Sequence, residues 1–164
     1  MRDFEDYSWR DLVDDEVRHI YSPYVRKRAV GKRPVLLVIH GPVPDAANRL
    51  IEEFRRRRLP VVHSGKAEAT DELVCPRPCE SAFFSTDLER ILKRVGAGSL
   101  VICGAPTSGA VRASAVEGKS FGYKVALAEE AVADQTGFLH KVALFDMAHK
   151  YADVMSLEEL VAQL

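Results

Sequence analysis

Pro34-Val-Leu-Leu-Val-Ile-His40 is the stretch on which the fold turns. Five consecutive apolar side chains behind a proline leave no polar face for solvent, the pattern of a strand buried on both sides of a parallel sheet. Working outward, Gly41-Pro-Val-Pro44 reads as a loop, and Ala47, Leu50, Ile51 and Phe54 then fall at helical spacing on one apolar stripe. Asp45 is placed to cap that helix, and Arg55 to Arg58 close it where positive charge suits the dipole. Leu59-Pro-Val-Val-His63 and Leu73-Val-Cys75 read as two further strands, joined by a polar connection from Ser64 to Glu72.

The same alternation continues. Thr86-Asp-Leu-Glu89 has the form of a capping box before a helix whose stripe is Leu88, Ile91, Leu92 and Val95, ended by Gly96 and Gly98. Ser99 to Cys103 is the next buried strand, Gly104 to Gly109 a tight turn, and Ala110 to Lys119 a helix with small residues for close packing. Tyr123 to Ala128 and Ala152 to Met155 complete six strands, with a helix within Leu139 to Lys150 between them and a last one boxed by Ser156 and Glu159. Strand and helix in alternation predict a three-layer α/β/α sandwich around a mostly parallel six-stranded sheet of Rossmann-like topology.

At 164 residues and 47% hydrophobic content, the chain has room for one globular core. We divide it into an acidic N-terminal arm, residues 1–17, and a single domain, residues 18–164. The net charge of −1 gives no general reason to expect nucleic acid or an anionic membrane as partner. No apolar run approaches the ~20 residues of a membrane span, and the acidic start is unlike a signal peptide, so a cytoplasmic protein is expected. Cys75, Cys79 and Cys103 are too few for a disulfide scaffold and are expected to be reduced. The neutral total conceals a balance of −5 over residues 1–17 and +8 over residues 18–58. These are either solvated faces or a means of docking an acidic arm on a basic flank, within one subunit or between two.

In such a sheet, ligands bind where loops leave the carboxyl ends of the central strands. This directs attention to His40, the Cys75 to Glu80 loop and Gly104 to Ala110. Arg33-Pro-Val-Leu-Leu-Val-Ile39, Ser81-Ala-Phe-Phe-Ser-Thr-Asp-Leu88 and Val101-Ile-Cys-Gly-Ala-Pro-Thr-Ser-Gly-Ala-Val-Arg112 are the segments concerned. With Gly122-Tyr-Lys-Val125, Glu130-Ala-Val-Ala-Asp134, His140 and Leu144 to Val154, they resemble the isochorismatase-like cysteine hydrolases, in the branch of N-carbamoylsarcosine amidase and maleamate amidase. The resemblance covers roughly residues 15 to 164.

Such enzymes cleave amide, carbamoyl or related bonds with a cysteine nucleophile, an aspartate that takes its proton and a lysine that keeps the thiol acidic. The resemblance sets His40 at the aspartate's place, Arg77 at the lysine's and Ala110 at the cysteine's. Alanine has no atom for nucleophilic attack, and a permanently charged guanidinium cannot exchange a proton as lysine does. The family's oxyanion hole uses the amide of the nucleophile and that of the residue four positions earlier, here Pro106, which has no N–H. Proline also lowers the cost of a cis bond, so a cis Ala105–Pro106 peptide is expected in a vestigial oxyanion turn of Pro106, Thr107, Gly109 and Ala110. The segment between His63 and Arg77 is shorter than in the amidases.

The resemblance therefore implies a pseudoenzyme with no cofactor, acting as a structural or regulatory subunit of a homo- or hetero-oligomer of family members. Arg77 and Phe83 are the candidate binding residues, for a small carboxylate or amide. The alternative is a divergent hydrolase of amide, carbamoyl or vinyl-ether bonds that uses His40 as acid or base beside Arg77. His63, His140 and His149 form no recognisable metal set, and Cys103 reads as core. Thr107 and Ser108 are expected to hold the turn's backbone, and Arg55 to Arg58 to be a solvated face or an interface.

Overall fold

The computed structural model describes residues 6–24, 28–65 and 72–164. Six parallel strands are present: β1 (Pro34–Ile39), β2 (Val61–Ser64), β3 (Leu73–Cys75), β4 (Ser99–Gly104), β5 (Lys124–Ala128) and β6 (Asp153–Met155). They lie in the order β3-β2-β1-β4-β5-β6, so the chain starts near the middle, builds one half and crosses back to build the other. The central ladder runs in register from Pro34 opposite Ser99 to Ile39 opposite Gly104. Mostly parallel, expected from the sequence, becomes wholly parallel here.

The helices are α1 (Asp15–Tyr21), α2 (Asp45–Arg56), α3 (Leu88–Arg94), α4 (Arg112–Ser120), α5 (Gly137–Lys150) and α6 (Leu157–Val161). Successive side chains of β1 point to opposite faces, and the two cores divide accordingly. Leu36 and Val38 join Leu50 and Phe54 of α2 and Leu160 of α6. Val35, Leu37 and Ile39 join Leu92 of α3, Ala115 of α4 and Leu144 of α5. Each fully buried Leu or Ile contributes about 1.5–3 kcal/mol, which makes this two-sided burial the main source of stability. Among the described residues, no helix is long and apolar enough to cross a membrane.

Local expectations fare unevenly. The Ser156–Glu159 capping box is present in both its bonds, and α2 buries Ala47, Leu50, Ile51 and Phe54 as its stripe requires. Asp45, however, is the first helical residue and not the cap, because Pro44 holds the extended backbone before it. Thr86 forms no capping box: its hydroxyl donates to the carbonyls of Ala82 and Phe83, and α3 starts after Asp87. Glu89 pairs instead with Lys93 one turn on, at 2.6 Å. The helix expected from Ala110 begins only at Arg112, after a distorted turn over Thr107–Val111 in which Gly109 leaves helical geometry.

The stretch read as an acidic arm is anchored on the body. Trp9 is buried, stacks on Tyr7 at 4.2 Å and meets Phe145 of α5 edge-on. Asp11 pairs with Lys141 of α5 at 2.5 Å, not with the basic stretch 18–58. Residues 1–5 of that stretch, Arg26 and Lys27 of the basic flank, and residues 66–71 of the polar connection lie outside the described residues.

Candidate functional site

The carboxyl ends of β1, β2 and β4 carry the polar residues that matter, on both sides of the crossover between β1 and β4. On the β4 side, Gly104 has φ +114° and lies so close to β1 that a Cβ there would stand 1.9 Å from the Ile39 carbonyl oxygen. Only glycine fits this approach. The Ala105–Pro106 bond that follows is cis, and the turn behind it spends its backbone groups on structure. The Thr107 amide donates to the Ala133 carbonyl at 2.8 Å and the Ser108 amide to Asp134 Oδ2 at 2.6 Å. The Thr107 hydroxyl and His140 Nδ1 share a hydrogen bond of 2.9 Å. Burial opposes the ionised form of Asp134, but the bonds from Ser108 and the Gln135 amide outweigh it and hold the carboxyl below its usual range.

Ala110 is fully buried within this turn and packs in the apolar core. Cys103 at the end of β4 is also fully buried, which pushes its thiol up to about 12 and leaves no thiolate at neutral pH.

The β1 side is different. His40, immediately after β1, and Arg77, in the loop after β3, line one open cavity of about 560 Å³ with Gly41, Gly65, Pro78, Cys79 and Glu80. A Cβ at Gly65, whose φ is +113°, would stand 3.4 Å from His40 Cβ and 4.0 Å from Arg77 Nε, so the bare glycine keeps the floor between them clear. Arg77 Nη1 donates to the carbonyls of Cys79 (2.6 Å) and Glu80 (3.5 Å), while its buried Nε–H finds no acceptor among the described residues.

Behind His40 runs a chain of polar contacts that the sequence did not reveal. His40 Nε2 lies 2.8 Å from His63 Nδ1, and His63 Nε2 lies 2.6 Å from Glu72 Oε2. Arg55 of α2 then grips Glu72 through two bonds of 2.8 Å. That bidentate grip is the largest influence on Glu72 and, with the bond from His63, draws its carboxyl down to about 2 against the cost of burial. His40 is held below the ordinary imidazole range, first by burial and then by the charges of His63 and Arg77.

The structure therefore brings His40 and Arg77 together and leaves Ala110 and Pro106 outside the walls of their cavity. Phe83 is placed elsewhere: it is buried, stacks on Phe121 at 5.1 Å and leans on Tyr123, outside the walls of that cavity.

An isochorismatase domain matches residues 65–159, more than half of the chain. The chain belongs to the isochorismatase family. Maleamate amidohydrolase of Pseudomonas putida is 36% identical over 98 residues, which are 60% of this chain and 46% of that protein. N-carbamoylsarcosine amidase of an Arthrobacter species is 29% identical over 98 residues, 60% of this chain and 37% of that one. The chain thus spans less than half the length of these curated relatives. In architecture it is similar to an isochorismatase family protein from Burkholderia thailandensis, with TM-score 0.74 and 20% identity over 85% of this chain and 99% of that one. An isochorismatase-like hydrolase from Alkaliphilus metalliredigens gives TM-score 0.66 and 21% identity, covering 77% and 94% of the two chains. The matched span includes Arg77 and the whole turn from Gly104 to Arg112, whereas His40 and His63 precede it.

Proposed function

We propose that this isochorismatase-family chain has given up cysteine hydrolysis and acts through binding, as a structural or regulatory subunit of an oligomer formed with itself or with an active amidase-type relative. The observation that carries the reading is Ala110: at the place the resemblance reserves for the nucleophile stands a fully buried methyl group. Covalent amide cleavage needs a lone pair there, and no rearrangement of a methyl group supplies one. Pro106 supports the same conclusion, since it has no amide to donate to a developing oxyanion, a loss of about 10²–10³ in rate where it has been isolated. An assembly role is supported by Phe138, Leu139 and Val142, apolar residues that α5 leaves exposed. The free cysteines suit the reducing cytoplasm. Light scattering of the full chain, alone and mixed with maleamate amidohydrolase, tests the reading. An oligomer in either sample and no ammonia release from amide substrates by the chain alone are expected. A monomer in both samples would overturn it.

The second reading is a divergent hydrolase or lyase of amide, carbamoyl or vinyl-ether bonds. It is favoured by one feature, the attachment of His40 to His63 and Glu72. Turnover of any such substrate that disappears in His40→Ala would establish it.

A further inference from the structure

The chain Arg55–Glu72–His63–His40 ends at a cavity whose other wall is an arginine, and the proton positions along it can be worked out. Arg55 keeps Glu72 ionised, so this carboxylate only accepts and the proton of that contact sits on His63 Nε2. The 2.8 Å contact between His63 Nδ1 and His40 Nε2 then holds a single proton. With both rings neutral, His40 Nε2 donates it to His63 Nδ1, and His40 Nδ1 is left as a bare acceptor with no partner among the described residues. A further proton can enter the pair only at His40 Nδ1. Its charge is shared across the bridge, because transfer of the Nε2 proton to His63 would place the imidazolium against the Glu72 carboxylate.

We propose that the cavity between His40 and Arg77 is a proton-coupled site for a small carboxylate anion. Arg77 provides the fixed positive charge, and one proton is taken up at His40 Nδ1 as the anion binds. The inference rests on the binding role proposed above in one respect: the ligand is held and not converted. The balance is one anion and one proton taken up together, with no bond in the ligand broken. Three observations point to an anion. Among the described residues no carboxylate pairs with Arg77 and its buried Nε–H has no acceptor, and Gly65 puts no side chain between it and His40. The groups facing His40 are His63 from β2, with Glu72 and Arg55 behind it, and Arg77, Cys79 and Glu80 from the loop after β3. Glu80 turns its carboxylate to Gly109, where a Cβ would stand 3.2 Å from Oε2. Asp134, across Pro42, is engaged by the Ser108 amide.

Because the anion and one proton bind together, affinity should rise as pH falls toward the range in which His40 protonates unaided, by up to about tenfold per pH unit. Acetate, a monoanion throughout pH 6 to 8, is the probe, with acetamide as its uncharged counterpart. Acetate binding to the full chain is followed by NMR titration at several pH values, and long-range ¹H–¹⁵N spectra read the histidine nitrogens. Tighter acetate binding at pH 6 than at pH 8, no such trend for acetamide, and a His40 Nδ1 signal that moves to the protonated position on adding acetate at pH 7.5 are expected. Arg77→Gln should weaken acetate at least about tenfold at every pH, whereas His40→Gln should weaken it at pH 6 and leave an affinity that no longer varies with pH. Acetate affinity independent of pH in the wild-type chain overturns the coupling, and absence of acetate binding at about 100 mM overturns the site. Neither result bears on whether the chain hydrolyses amides, which the ammonia assay decides separately.

Discussion

The turn after β4 and the cavity beside β1 lie at the same edge of one sheet, yet they are built on opposite terms. In the turn, backbone and side-chain groups are bound to one another: Thr107 to Ala133 and His140, Ser108 to Asp134, with Gly104 pressed against β1. Beside β1, polar groups are strung in a line from α2 to His40, whose Nδ1, like the Nε–H of Arg77 across the cavity, has no partner among the described residues. Under the proposed binding role, the family scaffold would have lost its chemistry in one half and kept a polar, cavity-facing arrangement in the other. The turn's groups are spent on one another, whereas the groups beside β1 face an open cavity.

Four substitutions sharpen this contrast. Gly104→Ala should have the largest effect, because its Cβ would collide with the Ile39 carbonyl at a φ that alanine avoids. A loss above about 4 kcal/mol is expected, seen as no cooperative melting transition. Asp134→Ala removes the acceptor of the Ser108 and Gln135 amides; a cost of about 1–3 kcal/mol, or roughly 3–10 °C in Tm, is expected by calorimetry. Glu72→Gln, in the open half, should cost only about 1 kcal/mol at pH 7. Its signature is the pH profile. Glu72 lies lower in the folded chain than its ordinary 4.5, so its contribution is complete above that value and is lost as pH falls toward about 2. The variant should show a shallower loss of Tm across that window. Ala110→Cys should have the smallest effect, within about 1 kcal/mol, with no ammonia release and no new thiol reacting with an aromatic disulfide reagent, since position 110 is buried. Rapid reaction is expected at Cys79 alone of the three native thiols. Hydrolysis by Ala110→Cys would break the contrast, for it would show the turn to be still competent.

The sheet was legible because it rests on local pattern. A continuous apolar run such as Val35 to Ile39 has few uses other than a two-sided strand, and the stripe of α2 has only one face to bury. Capping was less legible, since the Thr86 hydroxyl donates to carbonyls behind it and accepts from the Leu88 amide ahead, not from that of Glu89. The Arg55–Glu72–His63–His40 chain was not legible at all. His40 and His63 are 23 positions apart, and nothing in either neighbourhood announces a partner. They meet because parallel pairing sets Val38 opposite His63 and Ile39 opposite Ser64, which brings the residue after one strand beside the end of the next. A histidine at the carboxyl end of each of two adjacent strands was the available signal, and it becomes readable only once strand order is known.

The strand order β3-β2-β1-β4-β5-β6 has a consequence for how the chain acquires its shape. β1 is made early, but its partner on the inner side, β4, lies 65 positions further on, from Pro34 opposite Ser99 to Ile39 opposite Gly104. During synthesis, β1 to β3 can assemble only a half-sheet whose inner edge is apolar and unpaired until Gly104 has emerged. Closing a loop of that length should be the slow, entropically costly event in forming the domain. The side chains of β1 and β4 should therefore set the folding rate, and the outer strands should set how quickly the finished sheet frays.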